Sequence, residues 1–152
     1  MRKDVKYLEG IQACRYLGSY FVPLNWHSVA TEIEHIVQDS GAKILIAHTD
    51  LVHPFNVRNL RDVLLAILPT PTEVAKSYHI NVNTRSNPVD MALDLELSLQ
   101  TASQIDTQPK AFRGMFAYTS GITGRPKGIK RKTDENAGDK YAMYQGLSHS
   151  LM

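Results

Sequence analysis

A single cysteine, Cys14, leaves the chain without an intrachain disulfide and points to no oxidising compartment. A reduced, cytoplasmic setting is the default expectation. Long apolar runs are missing too: the longest, residues 63–68, has six residues, far short of the twenty or so a membrane-spanning helix needs. The opening stretch MRKDVKYLEG carries charge without an apolar segment, so it does not read as a signal peptide. The six histidines show no i, i+4 pair and stand beside no cysteine, so no metal site is expected. Charge of one sign is nearly absent as a global feature, with 17 basic against 15 acidic residues. The remaining composition, 43% apolar and 21% charged over 152 residues, is that of a domain large enough to bury a core.

The basic residues are unevenly placed. Arg125, Lys127, Lys130, Arg131 and Lys132 fall within eight positions that hold no acid. Such a cluster suits a polyphosphate; with no aromatics interleaved it does not suit nucleic acid, and none is expected as a partner. A solvated basic strand end is the plain alternative for the last three. The cluster overlaps residues 118–131, YTSGITGRPKGIKR, with glycines at 121, 124 and 128. Glycine lets main-chain N–H groups approach an anion, hydroxyls add donors, and a lysine supplies mobile positive charge. A Walker loop requires Lys followed by Ser or Thr, and a glycine five residues after the first. Here Gly128 follows Lys127 and Pro126 stands five after Gly121, so both conditions fail.

Hydrophobic spacing suggests an α/β fold. Leu8, Ile11, Tyr16 and Leu17 are loosely helical before Gly18. Residues 20–24 read as a short strand that Pro23 confines to an edge. Val29, Ile33, Ile36 and Val37 mark a helix with one buried face, closed by Ser40 and Gly41, and residues 43–48 follow as a buried strand. Strand, helix and strand together predict a βαβ unit with a parallel pair. Residues 55–68 predict a helix ended by Pro69 and Pro71, and residues 70–108 a surface excursion with one short helix near 91–99. Strands are expected at 115–119 and 128–131, either side of the glycine segment, then a polar connector and a helix from 141. Trp26 and His35 read as packing and exposed residues, not as a site.

The glycine segment resembles the signature of the adenylate-forming enzymes, close to YTSGTTGxPKG, at Tyr118, Thr119, Ser120, Gly121, Thr123, Gly124, Pro126, Lys127 and Gly128. Ile122 departs from it, standing where the family has Thr or Ser. Residues 18–48, with Asn25, Trp26 and His27, are similar to the segment preceding that loop and lean toward bacterial fatty-acyl or related acid–CoA ligases. The resemblance implies a phosphate-binding loop in which Thr119, Ser120 and Thr123 donate hydroxyl bonds, Gly121 and Gly124 let the backbone curl, and Lys127 meets the β- and γ-phosphates of ATP. Tyr118 is expected in the core and Gly128 as a conformational residue.

It also implies Mg-ATP, a carboxylic acid and CoA as reactants. The acid attacks the α-phosphate to give an acyl-adenylate and pyrophosphate, and a thiol then displaces AMP. Motifs that the family carries beyond the loop, including the glutamate that helps hold magnesium and the C-terminal domain's lysine, have no counterpart in residues 133–152. The expectation is therefore that residues 1–152 form part of a larger N-terminal domain, a βαβ-type parallel-sheet fragment with no catalytic residue of its own, inactive alone. A non-catalytic nucleotide- or anion-binding module and a peptide-synthetase adenylation fragment are the alternatives. Nothing in the sequence specifies an oligomeric state.

Overall fold

The computed structural model describes residues 1–52, 60, 62–81, 89, 92–104, 110–119 and 125–130. Helix α1, Val5–Leu17, starts at Asp4, whose carboxylate accepts from the Tyr7 N–H at 2.9 Å, and stops at Gly18, which turns left-handed at φ 63°. Helix α2, Ala30–Ser40, ends the same way at Gly41, φ 66°, and buries Ile33, Ile36 and Val37 as the spacing predicts, whereas Val29, expected on the same buried face, is its N-cap and is exposed. Strand β1, Ile44–His48, follows directly.

A second strand, β2, occupies Leu64–Leu68 and pairs with β1 in parallel, from Ile44 opposite Leu64 to His48 opposite Leu68. Over residues 64–68 this corrects the helix expected across 55–68, of which residues 55–59 and 61 lie outside the described residues. Its run of apolar residues satisfies a helical stripe and a fully buried strand equally well, and the neighbours decide: β2 is the middle strand of three. The short helix α3, Thr72–Ser77, comes next, then the two-residue strand β3, Leu93–Asp94, which pairs in parallel with β2 at Ala66 and Ile67. Helix α4, Leu95–Thr101, begins there, capped by Asp94, so the helix expected near 91–99 starts later and is preceded by a strand. The described residues of the stretch 70–108 thus hold α3, β3 and α4, and Thr70 is fully buried. The core joins Ile33 and Val37 of α2 to Leu45, Ala47 and Leu65 of the sheet, with Val52 and Leu60.

The remaining strands, β4 at Phe116–Thr119 and β5 at Lys127–Lys130, form a separate antiparallel pair. The strand expected over residues 20–24 reduces to one bridge, with Phe21 pairing in parallel with Met115 just before β4. The Phe21 N–H donates to the Gly114 carbonyl at 3.2 Å, and the Phe116 N–H donates to the Phe21 carbonyl at 3.0 Å. The strand–helix–strand segment from 20 to 48 therefore does not close on itself; β1 takes β2 as partner and residue 21 serves the hairpin. The α/β class with a parallel sheet holds. The polar connector and the helix expected from 141 lie outside the described residues.

A buried polar cluster fixes the N-terminal residues to the carboxyl ends of β1 and β2. Arg2 Nη1 meets Asp50 Oδ2 at 2.8 Å, with both side chains 8% exposed, and its guanidinium lies 4.7 Å from the Trp26 ring centroid and 4.9 Å from that of Tyr78. Asp50 also accepts from the Thr70 hydroxyl. His48 has no exposed surface; its Nδ1 accepts from the Arg2 N–H at 3.4 Å, which leaves the proton on Nε2 to donate to Asp4 Oδ2 at 2.9 Å. Burial outweighs the Asp4 carboxylate and lowers the His48 pKa, so the contact is a hydrogen bond of a neutral ring.

Candidate phosphate-binding site

The β4–β5 register decides which side chains meet. Phe116 stands opposite Lys130, Ala117 opposite Ile129, Tyr118 opposite Gly128 and Thr119 opposite Lys127. Side chains alternate between the two faces of a strand and directly opposed residues share a face. Thr119 and Lys127 therefore lie side by side at the open end of the hairpin, both exposed, where residues 120–126 join the strands. A hydroxyl donor and an ammonium at the two ends of a glycine-rich connection can take neighbouring oxygens of one phosphate chain.

Of the other residues expected to bind, Ser120, Gly121, Thr123 and Gly124 lie outside the described residues, as does Ile122. Arg125 is exposed beside Lys127 and adds charge at the same end. Lys130 is differently placed, with its Nζ 5.0 Å from the Phe116 ring centroid and 5.6 Å from that of Tyr20. Among the described residues the basic run thus divides into two cations at the hairpin mouth and a lysine seated on aromatic rings at its base, Arg131 and Lys132 lying outside them.

The opposite face of the hairpin is aromatic. Phe116 is buried, and its ring centroid lies 5.0 Å from that of Tyr118. Gly128 is a packing residue more than a conformational one: a Cβ there would overlap Phe116 Cε2 and stand 2.9 Å from Tyr118 Cζ. Tyr118 is not in the core as expected. It is half-buried, and its hydroxyl donates to Asp39 Oδ2 at 2.5 Å. Burial raises the Tyr118 pKa above the ordinary phenol value, and the hydrogen bond and charge of Asp39 push the same way. From the same helix, half-buried His35 donates from Nε2 to the Pro126 carbonyl at 3.3 Å. Neither contact was legible in the sequence, since they join residues 79 and 91 positions apart. The one local hint is that His35 and Asp39 share a helix face at i, i+4 spacing.

A hard divalent cation takes carboxylate oxygens. Among the described residues no group of three His, Cys, Asp or Glu is placed to hold a metal ion, and the hairpin mouth offers a hydroxyl and cations. That donor set suits phosphate oxygens and does not itself fit magnesium.

Comparison with known proteins gives this geometry a family. The model of the AMP-binding enzyme family matches residues 1–149. The chain belongs to the AMP-binding enzymes. It is 34% identical over 122 residues to a feruloyl-CoA synthase of an Amycolatopsis species, which covers 80% of this chain and 20% of that protein. It is 29% identical over 134 residues to the fatty acid–[acyl-carrier-protein] ligase ScoC of Streptomyces coeruleorubidus, covering 84% of this chain and 21% of that protein. A plipastatin synthase of Bacillus subtilis (strain 168) is 24% identical over 151 residues, 99% of this chain and 5% of that protein. The chain thus spans about a fifth of the length of the first two relatives. The AMP-binding family uses ATP, and among the described residues no helix is long and apolar enough to cross a membrane.

Proposed function

We propose that residues 1–152 are part of the N-terminal domain of an ATP-dependent acid–CoA ligase, and that the β4–β5 hairpin grips the pyrophosphate end of ATP while a carboxylic acid, with fatty acids among the candidates, is activated. The observation that supports the phosphate grip is the pairing of Thr119 with Lys127 across the mouth of the hairpin. In it the Thr119 hydroxyl donates to a phosphate oxygen and the Lys127 ammonium faces the β- and γ-phosphates. Ser120 and Thr123 add hydroxyl donors, and Gly121 and Gly124 leave main-chain N–H groups open to the anion. Their task is electrostatic, to spread charge on the departing pyrophosphate. Magnesium and CoA are bound by parts of the ligase other than these residues, and no step here is routed through them.

The acid–CoA ligase reading rests on the 34% identity to feruloyl-CoA synthase. A peptide-synthetase adenylation domain is the second reading, favoured by the alignment of 99% of the chain with plipastatin synthase. A non-catalytic nucleotide-binding module is the third. A chimaera of feruloyl-CoA synthase carrying the aligned residues of this chain tests the first. It should retain ATP–pyrophosphate exchange with an aromatic acid, reduced by the Ile122 side chain; a folded chimaera with no exchange counts against it. The chain by itself should show no exchange with any acid or amino acid, and clear exchange would overturn the partial-domain reading.

A further inference from the structure

Two side chains of α2 hold the two ends of the connection between β4 and β5. Asp39 accepts from the Tyr118 hydroxyl, one residue before Thr119, and His35 donates to the Pro126 carbonyl, one residue before Lys127. The contacts are independent in sequence yet come from one helix face, one turn apart. The helix that carries them is itself anchored, because Ile33, Ile36 and Val37 are buried and Ile33 and Val37 join it to the parallel sheet.

We infer that His35 and Asp39 are positioning residues that hold the Thr119–Lys127 pair in place against the body of the domain, so that phosphate affinity depends on α2 although α2 itself supplies no phosphate ligand. The inference rests on the proposed phosphate grip. Its physical basis is pre-organisation. A pair of ligating side chains on a hairpin free to swing pays an ordering cost on binding, whereas a hairpin tied at both ends has already met it. The two ties differ in kind. The Tyr118–Asp39 bond is charge-assisted and short, and it fixes the incoming strand through a ring that is also wedged against Phe116 and Gly128. The His35 bond fixes the outgoing strand through backbone, and proline has no N–H with which to tie itself.

The test uses Asp39→Ala, Tyr118→Phe, His35→Ala and His35→Gln in the full chain, with inorganic pyrophosphate as the probe. Amide hydrogen exchange of residues 116–119 and 127–130 is read alongside. Asp39→Ala and His35→Ala should each speed exchange in β4 and β5 by roughly tenfold, from the loss of one hydrogen bond, and leave β1 and β2 unchanged. Each should weaken pyrophosphate binding by a similar factor. Asp39→Ala combined with Tyr118→Phe should be no worse than either alone, because both remove the same bond. His35→Gln should restore binding, since its amide also donates to a carbonyl. Unchanged exchange in both alanine variants would overturn the latch. Faster exchange with unchanged affinity would reduce it to a structural tie and overturn the positioning role. Failure of the unaltered chain to bind pyrophosphate would sink the phosphate reading and the positioning role with it, while the exchange data would still report on the latch separately.

Discussion

Gly128 gives a sharp test of the hairpin, because its effect can be worked from distances and set against a second glycine of opposite sign. Replacing it with alanine puts a methyl onto Phe116 Cε2, 2.8 Å from Phe116 Cζ and 2.9 Å from Tyr118 Cζ, all closer than carbon atoms approach. A ring tip can usually swing away at little cost. Here Phe116 is only 6% exposed and Tyr118 is tied to Asp39, so neither is free to move. Overpacking of this kind costs about 1–3 kcal/mol. For a chain of this length a loss near 2 kcal/mol lowers Tm by roughly 4–8 °C. Gly10 is the control. It sits in the middle of α1 with nothing within 4 Å of the space a Cβ would fill. Gly10→Ala should stabilise by about 0.5–1 kcal/mol through helix propensity alone. The assay is thermal unfolding followed by circular dichroism, with pyrophosphate titration of each variant. Gly128→Ala should lose stability and phosphate affinity together, and Gly10→Ala should gain stability with affinity unchanged. If Gly128→Ala unfolds at the same temperature as the unaltered chain, the packing of Phe116 and Tyr118 over that strand is wrong.

Further outcomes follow from the buried cluster and from the glycine segment. Asp50→Ala strands Arg2 without its carboxylate and should cost about 3–5 kcal/mol in denaturant unfolding, whereas adding Arg2→Met to it should recover part of that loss. A double variant no more stable than Asp50→Ala would contradict the pairing. Because burial lowers the pKa of His48 below 6.5, the unfolded chain binds its proton first. The stability that His48 contributes is thus complete above that pH and declines as pH falls through it, by at most ~1.4 kcal/mol per pH unit. Urea unfolding between pH 5 and 8, compared with His48→Gln, should show that slope in the unaltered chain only; an equal slope in both would assign it to other groups. Ile122→Thr, made in the chimaera, should tighten ATP binding about tenfold if a hydroxyl there meets phosphate, from one charge-assisted bond. Unchanged binding would mean that the side chain points away from the anion.

Local chemistry was readable where it left a local mark. Gly18 ends α1, Gly41 ends α2, and the run from 43 to 48 became β1, because caps and short apolar runs act over a few residues. Strand β2 was hidden for the opposite reason. Adjacent Leu65 and Ala66 point to opposite faces and both are buried, so the strand has no polar alternation to distinguish it from a helix. Phe21 could not be assigned its partner, since the bridge to Met115 spans most of the chain and either partner fits the local pattern. Thr119 and Lys127 were candidates from the motif alone, and the register places them opposite one another. His35 and Asp39 were missed because their roles exist only across a long-range contact, which periodicity cannot report.

The central claim is that the hairpin mouth grips phosphate through Lys127. Calorimetric titration of ATP into the unaltered chain and into Lys127→Ala tests it most directly. The account predicts saturable binding that weakens roughly ten- to a hundredfold on loss of the ammonium, the worth of one charge-assisted contact to phosphate. Binding of equal strength in both proteins would contradict it.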